Sequence, residues 1–306
     1  MLLRQLALVS ETTRVQFADL SQTSAAIQKQ VTRDFGPIWE VDATMDSFAT
    51  LEDVPLGYWP VIIMDDIQQS GAAGVHLDKD NQPFALVEYS DSWPLTASHE
   101  TLEMLADPFG NRLVAGDSPK PDQGRVEFLV EVCDPCEAAE FGYTVNGITL
   151  SDFYTPAFFD PVQADGVRYS FTGALTEPRQ VLAGGYLSWH DPVADEWWQE
   201  VFFGDQPEFR SLGQLDQKGG SLRAQIDRLT SALALKSMVR NKTALLAAAR
   251  AYPQHIARPC QRKAEAWRAQ IERLRAGGAA GGAEGAAGAE RGPKTRRPPR
   301  KGRASE

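Results

Sequence analysis

The hydrophobic pattern in the first third of the chain predicts strands and helices in a definite order. Residues 2–9 form an apolar run that predicts a buried strand, and residues 17–35 carry apolar side chains at helical intervals. Pro37 should end that helix, because the residue before a proline avoids the helical region. Further strands are predicted at residues 39–43 and 59–64, both rich in aromatic and β-branched side chains.

A hairpin and a second helix follow in the same pattern. Apolar residues at 74–77 and 83–89 flank a turn-like DKDN sequence, which predicts two paired strands. A helix should then begin near Thr96 or Ser98, either of which can cap it, and stop before Pro108. The predicted order is therefore strand, helix, strand, strand, hairpin and helix.

The sequence pattern of the rest of the chain changes from β-rich to helical and then to a Gly- and Ala-rich, basic composition. Residues 125–133 predict a helix or a strand, and residues 141–203 are mixed and rich in β patterns. Two later segments show a helical seam of apolar residues, the first at Leu222, Ile226, Leu229 and Leu233 and the second at Ala264, Trp267, Ile271 and Leu274. From Ala276 onward the chain is rich in glycine and alanine and then basic, which predicts disorder.

These patterns predict an α+β protein with one main body. Residues 1–140 form its first domain and residues 141–215 a β-rich continuation of the same body. Residues 216–275 are expected to form a helical extension, and residues 276–306 a disordered basic tail.

The balance of acidic and basic residues also changes along the chain, near residue 220. Residues 1–220 hold 12 Lys and Arg against 35 Asp and Glu, whereas residues 221–306 hold 19 against 6. An acidic body repels nucleic acid, so any contact with DNA or RNA would have to come through the basic tail.

Three cysteines, Cys133, Cys136 and Cys260, are too few and odd in number for a disulfide-built secreted scaffold. The N-terminus lacks the apolar core and cleavage site of a signal peptide, and no stretch approaches the roughly 20 apolar residues of a membrane helix. We therefore expect a cytoplasmic protein with no membrane contact.

The predicted second helix contains the sequence SHETLEMLADP, in which the chemistry is concentrated. His99 and Glu103 are four residues apart, so both side chains lie on one helical face and can reach one ion. Glu100 points slightly aside, where it can take a proton from water activated by a metal. This pattern predicts His99 and Glu103 as metal ligands and Glu100 as the general base.

The motif and the element order together resemble the N-terminal half of a zincin metallopeptidase. The last residue of the motif is Glu103 where zincins usually have histidine, and this departure concerns catalysis more than metal binding. The chain also resembles a group of bacterial and phage proteins that contain SHExxExxxDP. The resemblance implies a zincin-like mixed sheet with an active-site helix in residues 1–140, one Zn²⁺ per chain, and a polypeptide substrate lying antiparallel to the strand near residues 83–89.

A working site needs a third ligand, for which the sequence offers several acids. Asp107, eight residues after His99, is one candidate, although it also fits a simple Asp-Pro helix stop. The resemblance implies a ligand from a second helix downstream, where Glu131 fits, with Asp134 as the acid that orients the histidine. Glu137 is an alternative to Glu131, and a solvated acidic face is the alternative to ligation for each.

Other residues leave further alternatives. Cys133 and Cys136 could form a redox pair, but no thioredoxin-like pattern surrounds them, and they could be half of a four-cysteine zinc site, but Cys260 is far away in the sequence. Buried thiols in a core segment are therefore the preferred interpretation, with Cys133 as a ligand to the metal of His99 as the minor alternative. Any of Tyr143, Tyr154 and Tyr169 could donate a hydrogen bond to an oxyanion beside a metal. His76 could line the cleft from its strand.

Three functions remain open on the sequence. The first is a zinc-dependent peptidase, and the second is a catalytically inactive zincin-like protein, phage- or host-associated, that binds a protein partner. The third is a nucleic-acid-associated protein that acts through residues 221–306. Glycine-rich phosphate-binding, dinucleotide-binding and serine-nucleophile motifs are absent from the sequence.

Overall fold

The structure, a computed structural model, describes residues 3–69, 72–79, 81–216 and 220–230. The chain divides into two compact units, Met1–Arg240 and Asn241–Glu306, and every described residue belongs to the first. The described part contains two five-stranded sheets, a small hairpin and several helices, which confirms an α+β class. Expectations for the second helical seam, Cys260 and the basic tail lie outside the described residues.

The first sheet is mixed. In spatial order its strands are β2 (Ala43–Ser47), β1 (Arg4–Ser10), β3 (Trp59–Met64), β5 (Gln82–Glu88) and β4 (Gly74–Lys79). All neighbours are parallel except β4 and β5, which form the predicted hairpin. The edge strand on this side of the sheet is therefore β4. The strand that was expected to lie against a substrate, β5, is internal.

The chain between β1 and β2 is helical for longer than predicted. Helix α1 (Phe17–Lys29) continues through a π-helical stretch (Gln30–Phe35) into α2 (Gly36–Trp39). Pro37 does not end the helix: it lies at the start of α2, directly after the π-helical stretch, where its fixed φ suits a helix. The strand predicted at 39–43 begins only at Ala43.

Helix α3 (Trp93–Ala106) also begins earlier than predicted. Pro94 lies in its first turn, which favours a start at Trp93, so neither Thr96 nor Ser98 is the cap. The helix ends before Pro108 as predicted, and Asp107 is its C-terminal cap residue.

The second sheet is antiparallel. In spatial order its strands are β12 (Glu208–Gly213), β11 (Glu196–Val201), β10 (Tyr186–Asp191), β7 (Arg125–Leu129) and β6 (Leu113–Asp117). A hairpin of β8 (Tyr143–Val145) and β9 (Ile148–Leu150) lies outside both sheets. The main apolar core takes residues from both sheets and from α3, so these layers share one interior.

The helix at residues 222–230, which we label α4, buries a face that matches the predicted seam only in part. Ile226 is buried and Leu222 packs half-buried beside it, whereas Leu229 is 43% exposed. The other buried residues of α4 are polar: Arg223, Gln225, Asp227 and Thr230. The helix and one member of its seam are confirmed, Leu229 is not part of the inner face, and Leu233 lies outside the described residues.

None of the helices in the described ranges has the length and apolar character required to cross a membrane.

The second sheet carries a carboxyl group that makes stability depend on pH. Burial and the neighbouring Glu177 raise the pKa of Glu200 on β11 to about 7 from an ordinary 4.5. Because the folded form holds its proton more tightly than the unfolded form, stability falls as pH rises from 4.5 to 7. Glu200→Gln should therefore be more stable than the parent above pH 7, by roughly 1 kcal/mol after allowance for solvent screening.

Urea unfolding at pH 5 and pH 8 measures this effect. The advantage of Glu200→Gln should shrink at the lower pH, while Glu208→Gln, at an exposed position on β12, serves as the matched control. An advantage of equal size at both values would contradict the shifted pKa.

Candidate metal centre

Helix α3 is buried on all sides over its second half, with every residue from Ala97 to Ala106 inaccessible to solvent or nearly so. A buried polar network fixes its rotation. Ser98 donates a hydrogen bond to Gln30 Oε1 (2.9 Å) and accepts one from Ser151 N (3.0 Å), and Gln30 Nε2 donates to Ser151 O (2.9 Å). With Ser98 held on one side, the next residue, His99, has a defined direction.

His99 faces two carboxylates through the same ring nitrogen. Its Nε2 lies 3.3 Å from Glu103 Oε2 and 3.2 Å from Asp134 Oδ1. Glu103 is held in place because its other oxygen accepts a hydrogen bond from Cys133 N (3.1 Å). The predicted pairing of His99 and Glu103 on one helical face is confirmed.

Glu131 and Asp134 come from the segment that follows β7. Glu131 lies just beyond the end of the strand and Asp134 begins a 3-10 turn, so the expectation that Glu131 belongs to a second helix was wrong. Both side chains are buried, and one oxygen of Glu131 lies close enough to Glu103 and Asp134 for the three to share an ion.

His76 on β4 contributes a second histidine to the same region. Its Nε2 lies 3.0 Å from the carbonyl oxygen of Asp107. A carbonyl can only accept, so Nε2 carries the hydrogen and, in a neutral ring, Nδ1 presents its lone pair. That Nδ1 is 3.6 Å from Glu100 Oε2 and 4.0 Å from Glu103 Oε2, with no hydrogen-bond partner of its own.

Gly74 permits the close approach of this strand to the helix. A Cβ atom at Gly74 would lie 2.7 Å from Glu100 Oε1 and from Thr96 Cγ2. Only glycine therefore allows β4 to bring His76 against helix α3 at this distance.

Arg223 of α4 lies in the middle of the acidic side chains. Its Nη1 contacts Oε2 of both Glu103 and Glu131, and its Nη2 is 3.5 Å from Glu100 Oε2. Its Nε donates to Asp227 Oδ2 on the same helix (3.2 Å). Arg223 is 2% exposed and is the only buried Lys or Arg among the described residues.

The pKa values of the central pair move in opposite directions. Burial opposes charge on His99, but Glu103 and Asp134 outweigh it and raise the pKa of His99 well above its usual value. Burial likewise opposes charge on Glu103, yet Arg223 and His99 outweigh it and lower the pKa of Glu103. A metal at His99 would therefore have to displace a proton, which makes binding pH-dependent.

The surrounding acids hold their protons more tightly. Burial raises the pKa of Glu131 well above its usual value, and the repulsion from Glu103 and Asp134 adds to the effect against the pull of Arg223. Burial, followed by Glu103, also raises the pKa of Asp134. For Glu137 burial and Asp134 raise the pKa to about 8, and for Asp227 burial raises it to about 6 despite Arg223.

The two described cysteines are buried in the core, as expected. Both are free thiols, and burial raises the pKa of Cys133 and of Cys136 well above the usual value. Cys133 Sγ lies close enough to His99 and Glu103 to form with them one of the groups that could hold a metal ion.

Asp107 stands apart from the convergent side chains. Its carboxylate accepts a hydrogen bond from Arg112 N (2.7 Å), as expected of a residue that ends a helix, and it joins none of the ligand groups found among the described residues. Glu137 is half-buried and forms one such group with His99 and Asp134.

Of the three tyrosines considered, only Tyr154 belongs to the centre. It is fully buried, and burial together with Glu131 and Glu103 raises its pKa well above the usual value. Tyr143 instead donates to Asp34 (3.0 Å), and the Tyr169 hydroxyl accepts from Ala164 N (2.8 Å).

These residues fit a metal ion by their donors, charge and spacing. Four overlapping groups of His, Glu, Asp or Cys place their ligand atoms within 4.8 Å of one another: His99–Glu103–Cys133, His76–Glu100–Glu103, His99–Asp134–Glu137 and Glu103–Glu131–Asp134. Buried polar atoms without a hydrogen bond include His76 Nδ1, Glu100 Oε2 and Glu131 Oε1. One buried guanidinium cannot balance so many buried carboxylates, so protons or a further cation must complete the charge.

Arg223, Asp227 and His76 are the members of the centre that sequence reasoning missed or left unassigned. Arg223 and Asp227 are four residues apart and therefore lie on one helical face, next to Ile226. This spacing could have predicted a polar inner face, but the sequence analysis followed the leucine pattern instead. His76 has no ligand-spaced neighbour in the sequence, because it reaches the centre only through strand pairing.

Comparison of the chain with protein families, with curated proteins and with solved structures finds no match.

Proposed function

We propose that this protein is a zinc-dependent peptidase of the zincin type, with its centre on helix α3. The observation that carries the proposal is the pair of contacts at His99 Nε2, 3.3 Å to Glu103 and 3.2 Å to Asp134. Ligand atoms on a tetrahedral zinc ion, each about 2.0–2.2 Å from the metal, lie roughly 3.3–3.6 Å apart. The element order before α3, with strand, helix, two strands and a hairpin, also agrees with the zincin resemblance.

The proposed ligands are His99, Glu103 and one acid from the segment after β7. Glu131 was the first expectation, with Asp134 as the acid that orients the histidine. An orienting acid bonds the ring nitrogen that does not face the metal. Asp134 instead contacts the same nitrogen that faces Glu103, which favours Asp134 as the third ligand over Glu131 and Glu137.

Zinc bound there would act as a Lewis acid and lower the pKa of water to about 7. Glu100 would accept the proton of the attacking water, since its Oε2 is buried and lacks a hydrogen bond. Tyr154 keeps its proton and would donate a hydrogen bond to the developing oxyanion. A polypeptide would add to the free edge of β4 rather than to β5.

A second candidate is a zincin-like protein that binds a partner without catalysis. The contacts of Arg223 with Glu103 and Glu131 favour it, because a guanidinium can neutralise in place of a metal. The two candidates differ in peptide hydrolysis, and a chain without zinc would fit only the second.

The test is elemental mass spectrometry of the full chain beside His99→Ala and His190→Ala. We expect about one zinc per chain in the parent and almost none in His99→Ala, because that variant lacks the only nitrogen ligand of the set. His190→Ala is the matched control, since His190 contacts Glu127 on β7 and Asp195 in the turn between β10 and β11, and this variant should keep the metal.

Equal zinc in the parent and in His99→Ala would contradict the proposed ligands. Zinc absent from every form, after refolding with an excess of the metal, would favour the partner-binding candidate.

A further inference from the structure

Helix α4 supplies the cation that the acidic centre holds in this structure. Arg223 is inserted from α4, with Nη1 on the carboxylates of Glu103 and Glu131 and Nη2 toward Glu100. Its own position is fixed by Asp227 through Nε and by a backbone hydrogen bond from Arg223 N to Gly110 O (3.0 Å). The guanidinium is thus a specifically held ligand of the centre.

The oxygen atoms that bind Arg223 include the one that a metal would need. Oε2 of Glu103 contacts Arg223 Nη1 and also faces His99 Nε2 at 3.3 Å, while its other oxygen is taken by Cys133 N. A metal on His99 and Glu103 would therefore share this oxygen with a guanidinium of like charge in a buried region. Repulsion between two buried cations at such separation is strong, because little water screens it.

The attachment of α4 is separate from the main core. Its only fully buried apolar residue, Ile226, packs in a small cluster with Leu129 and Trp197. Polar contacts complete the attachment, among them Asn111 with Leu222 N and Gln199 with Thr230. A helix held this way can leave without disrupting the core that positions α3.

We propose that Arg223 and a divalent metal ion are alternative occupants of the Glu103 and Glu131 carboxylates. Helix α4 is then an internal ligand that covers the centre when the metal is absent and is released when the metal binds. The inference rests on the proposed function in one respect, because it requires that the centre binds a metal. It adds how helix α4 controls access to that metal site.

Removal of the guanidinium should tighten metal binding. In the metal-free parent, we expect Arg223 to be undocked in about a tenth of the molecules or fewer, and only those molecules can bind zinc. Arg223→Met should therefore bind zinc at least about tenfold more tightly than the parent. The measurement is competition with a chromophoric zinc chelator on the full chain. Arg228→Met, at an exposed position of the same helix, should leave the affinity unchanged.

Hydrogen exchange on the parent chain provides a test that needs no variant. Zinc should increase the exchange of the backbone amides at 222–230 and leave those of β10 unchanged, since β10 lies inside the second sheet. Slower exchange at 222–230 with zinc would overturn the inference, and so would equal zinc affinity in Arg223→Met and the parent.

The two proposals fail differently. If neither the parent nor Arg223→Met binds zinc, the metal centre itself is refuted. If both bind zinc with the same affinity, the centre stands and only the alternation with Arg223 is refuted.

Discussion

Glu100→Gln is expected to lower the rate of peptide hydrolysis by about 10²–10⁴-fold while the zinc content stays at the level of the parent. Glutamine keeps the size of the side chain and its packing against Gly74, but it cannot accept a proton from water. Because Glu100 is outside the proposed ligand set of His99, Glu103 and Asp134, metal binding should survive.

The assay uses fluorescein-labelled casein and a mixed peptide library, with zinc measured on the same samples. If α4 covers the centre, the comparison is clearest in the Arg223→Met background, where access is not limited by the guanidinium. Glu127→Gln on β7 is the matched control, since it changes the same chemical group on the second sheet. Unchanged hydrolysis in Glu100→Gln would assign the base to another residue.

Much of the first sheet could be predicted because its strands carry the information locally. The run at Trp59–Met64 became a strand with the predicted bounds, and the hairpin of β4 and β5 formed around the predicted turn. In such runs one buried face and a turn suffice to specify the element. The spacing of His99 and Glu103 was equally local, since one helical turn brings them together.

Prediction failed where tertiary contacts decide between two local choices. Trp39 lies in a helix although its neighbours suit a strand, because its ring stacks on Phe35 and its Nε1 donates to Tyr154 O (3.0 Å). Glu40 then turns the chain with a left-handed conformation, for which its sequence gives no signal. The hydrogen bond from Trp39 to Tyr154 joins residues 115 positions apart and has no periodic signature.

The candidate site likewise combines residues that local patterns could predict with residues that they could not. Its helical half was predicted, but its cation comes from Arg223, which is 120 positions from Glu103. Hydrophobic patterns place charged residues at the surface. They therefore do not predict a buried arginine unless its acidic partners are known to lie together in the fold. Burial of a charge is decided by the completed assembly of elements rather than by any one of them.

The metal-free centre should respond very differently to two identical substitutions. Arg223 Nη1 contacts both Glu103 and Glu131, yet only Glu103 has further partners, His99 and Cys133 N. These partners outweigh burial and lower the pKa of Glu103, whereas burial and neighbouring acids raise that of Glu131. Of the two carboxyl groups, Glu103 therefore gives up its proton more readily and Glu131 holds its proton more tightly.

Glu103→Gln should accordingly lower the free energy of unfolding by about 3–5 kcal/mol, since it removes the charge that Arg223 and His99 require. Glu131→Gln should lower it by less, about 1 kcal/mol, because Glu131 is the carboxyl group that holds its proton more tightly and glutamine resembles the protonated form. Urea unfolding at pH 7 with a chelator present measures both. A lowered pKa stabilises the fold fully above the ordinary value of 4.5 and progressively less as pH falls from there toward the folded pKa, so the cost of Glu103→Gln should decline below pH 4.5. Equal losses for the two variants at pH 7 would show that the carboxylates share the charge of Arg223 evenly.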